Sequence, residues 1–253
     1  MNLAEYRRMY AVEDRHWWYV GLHELIMRSV TAESQRLGRP LRILDAGCGT
    51  GRLMQLMSAY GDVEGYDASE EAVSCCHERA VAAGLADLND LQPQPDSFDI
   101  ITSIDVLYHT GIKDDIAVLK KLRTGLRPGG LLILNLVAHE FLRSSHDVAV
   151  HTRERYTRKE LLRRLSSAGF LPEYASYRVC ILFPLIAVYR LICRGRGEGA
   201  TNRHDVDSDV SLPHPLINAL LLGLARVENR VMNRYTLPAG SSLFVLARKP
   251  CGQ

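Results

Sequence analysis

The sequence predicts an α/β fold, a mostly parallel sheet with helices on both faces, and three observations carry that prediction. Strand-like apolar runs alternate with helical periodicity from Leu41 to Leu136. Glycines at 47, 49 and 51 follow the first run directly, and an acid, Asp67, ends the second. The later runs FDIITSI and LLILNLV are apolar with little alternation, as strands buried on both faces are.

The elements follow in order. LRILDAG is a buried strand running into the glycines, and TGRLMQLMSAYG a helix with Leu53, Leu56 and Met57 at helical spacing and Gly61 as its stop. VEGYDAS is the second strand. SEEAVSCCHERA is a helix capped by Ser69, with two glutamates at its positive end. A third strand near Val81–Ala86 is weakly written, because alanine and glycine are poor strand formers. FDIITSIDVLYH gives a strand and its exit, IAVLKKLRTGL a helix, RPGG a turn, and LLILNLV a further strand. Residues 138–156 are expected to form an active-site loop, TRKELLRRLSSAGF a helix ended by Gly169, and Leu171–Tyr177 a strand. Two apolar segments, 179–193 and 214–226, then flank the charged, glycine-rich RGRGEGATNRHDVDSDV, and SSLFVLARK closes the sheet.

The composition is that of a soluble globular chain: 253 residues, 47% hydrophobic, 24% charged, formal net charge +2. That charge gives no argument for nucleic acid or an anionic membrane. The basic stretch Arg153–Arg164 reads as a solvated helix face. MNLAEYRRMY has no apolar core followed by small residues, so no signal peptide is visible. Six cysteines without a C-x-x-C pair or a histidine cluster suggest reduced thiols in a cytoplasmic protein and no metal site. The segment Val179–Cys193, broken by Pro184 and Arg190, is shorter than the ~18–20 residues of a membrane span.

In parallel sheets ligands bind beyond the carboxyl ends of the strands, which gathers Asp45–Gly51, Asp67, Asp87 and Asp105–His109 around one crevice. The DAGCGTG glycines permit a tight turn and close backbone approach to a ligand. Their spacing is neither the G-x-G-x-x-G of nicotinamide and flavin binders nor a P-loop. Asp67, about 20 residues on, can accept both ribose hydroxyls of a nucleoside cofactor; the alternative is a turn aspartate opening a helix. His109 at the exit of the central strand, with His146 and His151 on the following loop and Asp147 beside them, are candidate bases; each could instead cap a loop. Tyr19, Tyr108 and Tyr156 are candidate pocket residues. His-Asp-x-x-x-His supplies too few ligands for a metal. Trp17, Trp18 and Tyr19 sit on an N-terminal helix that packs as core or closes as a lid.

These residues resemble the class I S-adenosylmethionine (SAM)-dependent methyltransferases. LRILDAGCGTG is similar to their first motif, GYDAS to their ribose-binding strand end, FDIITSIDVLYH to their central motif and RPGGLLIL to the turn and strand after it. The resemblance implies a Rossmann-like, seven-stranded, mostly parallel sheet with an N-terminal helical lid (1–36), a SAM-binding domain (37–178 and 238–250) and a helical insertion (179–237) before the last strand. It also implies a cofactor set of Asp45, Gly47, Gly49, Gly51, Asp67, Ala68, Asp87, Leu88 and Asp105. EDRHWWYVGLHELI, SSHDVAVHTRERYTRKELLRRLSSAGF and LPAGSSLFVLARKP resemble one bacterial subgroup, some of whose members act in glycan, lipid and natural-product pathways. The chain departs from it at Leu22, Tyr108 and Glu154, where the subgroup usually has arginine, glutamate and arginine. The implied activity is methyl transfer to a small, lipophilic acceptor, oxygen before nitrogen or carbon, yielding S-adenosylhomocysteine (SAH). The histidines would act on that acceptor, and the apolar insertion would form its pocket, a homodimer interface or a membrane-surface contact. The alternatives are a SAM-binding enzyme catalysing cyclisation or decarboxylation, or a non-catalytic scaffold.

Overall fold

The computed structural model describes residues 3–144, 147–148, 150–195 and 211–252. Its sheet has seven strands: β1 (Leu41–Ala46), β2 (Gly61–Asp67), β3 (Ala82–Leu85), β4 (Phe98–Ile104), β5 (Leu126–Val137), β6 (Leu171–Arg178) and β7 (Ser242–Arg248). Their order is β3-β2-β1-β4-β5-β7-β6. Strands β1 to β5 pair in parallel, and β7 runs antiparallel to both β5 and β6. The helices are α1 (Leu3–Val12), α2 (Trp17–Leu37), α3 (Arg52–Met57), α4 (Glu70–Glu78), α5 (Asp115–Gly125), α6 (Arg158–Ser167), α7 (Phe183–Gly195) and α8 (Pro215–Val231). The Rossmann-like sheet expected from the sequence is present, with β3 as its short outer strand. No helix among the described residues is long and apolar enough to cross a membrane.

Successive strand residues face opposite sides, and the two faces make two cores. Ile43, Ile100, Leu131 and Ile133 bury against Leu22, Leu25, Ile26 and Val30 of α2. Leu44, Ile101, Leu132 and Leu134 bury against Val118 and Leu122 of α5 and Leu161 and Leu165 of α6. Each fully buried aliphatic side chain contributes about 1.5–3 kcal/mol, so α2 is integral to the fold. Of residues 1–36, expected as a lid, α2 therefore packs as core.

Two further expectations are corrected. RPGG is not a turn ahead of the strand: Leu126 already pairs with Phe98, and the register shifts before Leu131 pairs with Ile100. Gly129, at φ 76°, lets that irregularity stay inside β5. Nor is Arg153–Arg164 a solvated face. Arg153 and Arg164 both bind the buried Asp115 carboxylate, Arg164 also holds Glu154, and Arg155 forms a two-pronged pair with Asp147 at 2.8 and 3.0 Å. Sequence spacing showed only the cations; their carboxylates come from α5 and from the loop after β5.

Asp99 at the far end of β4 makes a similar cluster. It accepts from Arg39 at 2.6 and 2.8 Å, Arg127 at 2.7 Å and the Arg42 amide at 2.9 Å. Although burial opposes ionisation, the arginines and the amide hold the carboxyl down at about 2. A depressed carboxylate stabilises the fold above its unfolded pKa of about 4 and stops doing so as pH falls through 2. Asp99→Asn should therefore cost about 1–2 kcal/mol at pH 7, allowing for the partly exposed arginines. The difference between variant and wild type, read by urea unfolding, should shrink from pH 4 downward.

Candidate active site

A single crevice of about 1030 Å³ opens at the carboxyl ends of β1, β2 and β4. That is at the upper end of small-molecule sites and leaves room for a nucleoside cofactor beside a second molecule.

One half is built by the strand ends and α1. Gly47 turns the chain at φ 88°, and a Cβ there would lie 2.3 Å from Val106 Cγ2, so only glycine fits. Asp67 at the end of β2 accepts from the Gly49 amide at 2.9 Å and the Ser69 amide at 3.0 Å. It thereby ties the glycine loop to the N-terminus of α4. Ser69 caps that helix, accepting from the Ala72 amide at 3.4 Å. Tyr6 of α1 donates to Asp67 at 3.4 Å. Asp45 accepts from the Thr102 hydroxyl at 2.6 Å, and burial pushes its carboxyl up to about 7. Ala68, Asp87 and Leu88 line the same half, Asp87 with its carboxylate held by the Asn89 amide at 2.8 Å.

The structure thus brings together Asp45, Gly47, Gly49, Asp67, Ala68, Asp87, Leu88 and Asp105. Gly51 is the exception: it does not line the crevice, and a Cβ there would meet Cys76 Sγ at 2.8 Å and Val81 Cγ2 at 2.9 Å. Its role is close packing of loop on helix.

Sequence reasoning missed Glu5, Tyr6, Met9 and Glu13, which reach the crevice from α1 and the turn after it. Glu13 accepts from Thr50 at 2.5 Å and Arg79 at 2.7 Å. Arg7 clasps Glu71 and Glu78 of α4, so α1 lies over the glycine loop. The 6, 9, 13 spacing is one helical face and is the signal that could have found them. Glu5, 4% exposed, has its Oε2 without a partner among the described residues.

The other half is apolar and aromatic. Tyr19 and Trp18 of α2, Tyr108, His109 and Leu142 line it, and Leu185, Ile186 and Tyr189 of α7 form its wall. Helix α8 packs on α2: the Gly21 Cβ position lies 3.1 Å from Ala225, Asn229 donates to the Gly21 carbonyl at 2.8 Å, and Asn218 accepts from the Trp17 amide at 2.9 Å.

The predicted catalytic residues divide. His109 lines the crevice, and burial lowers its pKa to about 4. Its Nδ1 accepts from the Gly111 amide at 3.0 Å, which assigns the neutral ring's proton to Nε2. A ring in this tautomer can donate a hydrogen bond from Nε2. His151 stacks edge-on to His109 at 5.6 Å but is exposed and outside the crevice lining. His146 lies outside the described residues. Asp147 binds Arg155 and the Ser144 amide, not a histidine ring among the described residues. Tyr156 is a correction: its ring is 1% exposed in the α5–α6 core, and its hydroxyl donates to Asp115 at 2.5 Å.

A family model described as a methyltransferase domain matches residues 18–173, more than half of the chain. The chain belongs to this family, the class I SAM-dependent methyltransferases. Its cofactor is SAM. Among similar proteins, ubiquinone biosynthesis O-methyltransferase from Idiomarina loihiensis is 27% identical over 154 residues, 53% of this chain and 63% of that protein. The protein of the same name from Aeromonas salmonicida is 28% identical over 204 residues, 68% of this chain and 82% of its own length. Phosphoethanolamine N-methyltransferase 2 of Haemonchus contortus, solved with SAM, shares the fold at TM-score 0.56 and 19% identity, covering 88% of this chain and 52% of that one. The chain spans less than two thirds of the Idiomarina protein, as the 63% shows.

The crevice suits that cofactor. SAM carries a sulfonium and an ammonium against one carboxylate. Glu5, Glu13, Asp45, Asp67, Asp87 and Asp105 put six carboxyl groups around the crevice, and opposite charge within a low-dielectric crevice is attractive.

Proposed function

We propose that this methyltransferase transfers the SAM methyl group to an oxygen of a small lipophilic molecule. The carrying observation is that α7 walls the same cavity into which the cofactor half opens. Leu185, Ile186 and Tyr189 offer the acceptor an apolar surface a short distance from the glycine loop. The names of the two ubiquinone biosynthesis O-methyltransferases add support for oxygen as the methylated atom.

In this reading Asp67 accepts the ribose hydroxyls, Asp87 and Leu88 flank the adenine, and Asp45, Gly47 and Asp105 form the floor under the methionine part. Helix α1 covers the cofactor half and excludes water, and α7 supplies the acceptor wall. Bound SAM supplies an already activated methyl, so the protein's work is alignment and desolvation. His109 holds the acceptor by donating from Nε2, and Tyr108 and Tyr19 pack on it.

The test is to incubate the protein with SAM and a panel of phenols, hydroxy acids and prenylated quinols, and to measure SAH and methylated product. Methylated product with equimolar SAH supports the proposal. Turnover without SAH would instead favour cyclisation or decarboxylation. His109→Ala should lower kcat about tenfold, the worth of one positioning hydrogen bond, with SAM affinity unchanged. Because a ring with a pKa of about 4 is neutral from pH 5 to 8, kcat should show no histidine step there. A step near 6.5 that disappears in His109→Ala would restore the general base.

A further inference from the structure

A buried cation stands behind the crevice floor. Arg178, at the end of β6, is 2% exposed, and its Nε has no hydrogen-bond partner among the described residues. Its guanidinium sits 5.7 Å from the ring of Trp18 on α2. Burying a cation this deeply is costly unless its charge is used.

The hydrogen bond of its guanidinium shows where the charge points. Arg178 Nη1 donates to Asn135 Oδ1 at 3.4 Å. The Asn135 amide, itself wholly buried, donates to both Asp105 oxygens at 3.1 Å. The Asn135 carbonyl accepts the Asp105 amide at 2.8 Å. Asp105 is therefore held by one residue at three points, in a left-handed conformation (φ 59°) that a non-glycine residue adopts only when its surroundings fix it. From there its carboxyl lines the crevice beside Gly47 and Val106.

The remote end of the chain of contacts is also anchored. Glu228 of α8 accepts from the amides of Val179, Cys180 and Ile181 at 2.5, 2.7 and 3.2 Å. Val179, directly after Arg178, is itself at φ 59°. The α8 carboxylate thus fixes the turn that aims Arg178 inward.

We propose that Arg178 and Asn135 form a buried positioning relay that holds Asp105 as an oriented anion on the crevice floor, making the site selective for cationic SAM over neutral SAH. This rests on the reading that the crevice takes the cofactor with Asp105 in its floor. Arg178 supplies the charge, Asn135 transmits it through an aligned amide, and Asp105 faces the ligand. Ordered polar chains of this kind polarise one another.

Other groups near Asp105 do not substitute for the relay. Tyr19 of α2 and Tyr108 on the strand exit face it, and burial raises both phenols, so they stay neutral at working pH. Glu228 stands behind Arg178, and His23 of α2, lowered to about 4 by burial, is neutral. Asp105 itself is pushed to about 7 by burial, with Asn135 and Arg178 acting in the opposite direction. Loss of Arg178 therefore raises it further, and more of it is protonated at neutral pH.

The experiment is calorimetric titration with SAM and with SAH from pH 5.5 to 9, on wild type, Arg178→Met and Asn135→Leu, with folding checked by circular dichroism and Tm. Wild-type SAM affinity should rise with pH. In Arg178→Met its midpoint should move up by about one pH unit, with SAM binding about fivefold weaker at pH 7 and SAH binding weakened less than twofold. Arg178→Lys, which keeps the charge, should recover most of the selectivity. Asn135→Leu should mimic Arg178→Met and is the deciding variant if the latter does not fold. Asp45, also near 7, titrates equally in every variant and does not produce the shift. A folded variant with the wild-type pH profile and SAM-to-SAH ratio overturns the relay. Wild type that binds neither ligand overturns the cofactor reading beneath it.

Discussion

Asp67→Ala is expected to weaken SAM binding about 100- to 10,000-fold. Two hydrogen bonds from ribose hydroxyls to a carboxylate are worth roughly 1.5–3 kcal/mol each, and 1.4 kcal/mol is a factor of ten. The carboxylate also organises the apo loop, since it holds the Gly49 and Ser69 amides. Asp67→Asn keeps one acceptor oxygen and should lose less, about tenfold to thirtyfold. Isothermal titration of both variants beside wild type measures this. Equal affinity in Asp67→Ala and wild type would remove Asp67 from the ribose. Tyr6 contributes to the same point: its hydroxyl uses a lone pair of Asp67 that a ribose hydroxyl would take. Cofactor binding therefore shares or displaces that contact of α1.

Gly47→Ala should have the second largest effect, on both fold and ligand. An L-residue at φ 88° is strained by roughly 1–2 kcal/mol, and the new Cβ would lie 2.3 Å from Val106 Cγ2. Relief requires the glycine loop or the exit of β4 to move, and Asp105 immediately precedes Val106. The expected cost is about 2–4 kcal/mol, a Tm drop of roughly 5–12 °C, with SAM no longer raising Tm. Gly51→Ala is the informative contrast. Its Cβ meets Cys76 and Val81 rather than the ligand side, so it should destabilise while a folded fraction still binds SAM. Thermal shift with and without cofactor separates the two glycines.

The sheet and half of the site were legible because local chemistry dictates them. Glycines after a buried strand, an acid ending the next strand and a serine cap ahead of two glutamates each carry their meaning within a few residues. Even the weak third strand was legible, since Glu64–Asp67 of β2 pair with Ala82–Leu85 in parallel register. What escaped depends on contacts between distant segments. Tyr156 looks like a pocket residue by position, yet its hydroxyl partner Asp115 lies 41 residues away, facing into the α5–α6 core. Arg178 lies just past the strand expected over Leu171–Tyr177, and only the fold shows it against Asn135 and Trp18. His109 was correctly placed at the crevice, but its tautomer hangs on a hydrogen bond from Gly111 that composition does not encode. Only the 6, 9, 13 spacing marks the inward face of α1 and the turn after it, because Glu5, Tyr6 and Glu13 are polar or amphipathic and Met9 alone is apolar.

The central claim is that the crevice beyond β1, β2 and β4 is where this methyltransferase holds SAM. Its most direct test is hydrogen–deuterium exchange of the full chain with and without SAH. Exchange should slow in residues 45–51, 67–72, 87–90 and 3–16, with the β6–β7 edge unchanged. Protection confined to other segments, or none at SAH concentrations that saturate binding by calorimetry, would contradict it.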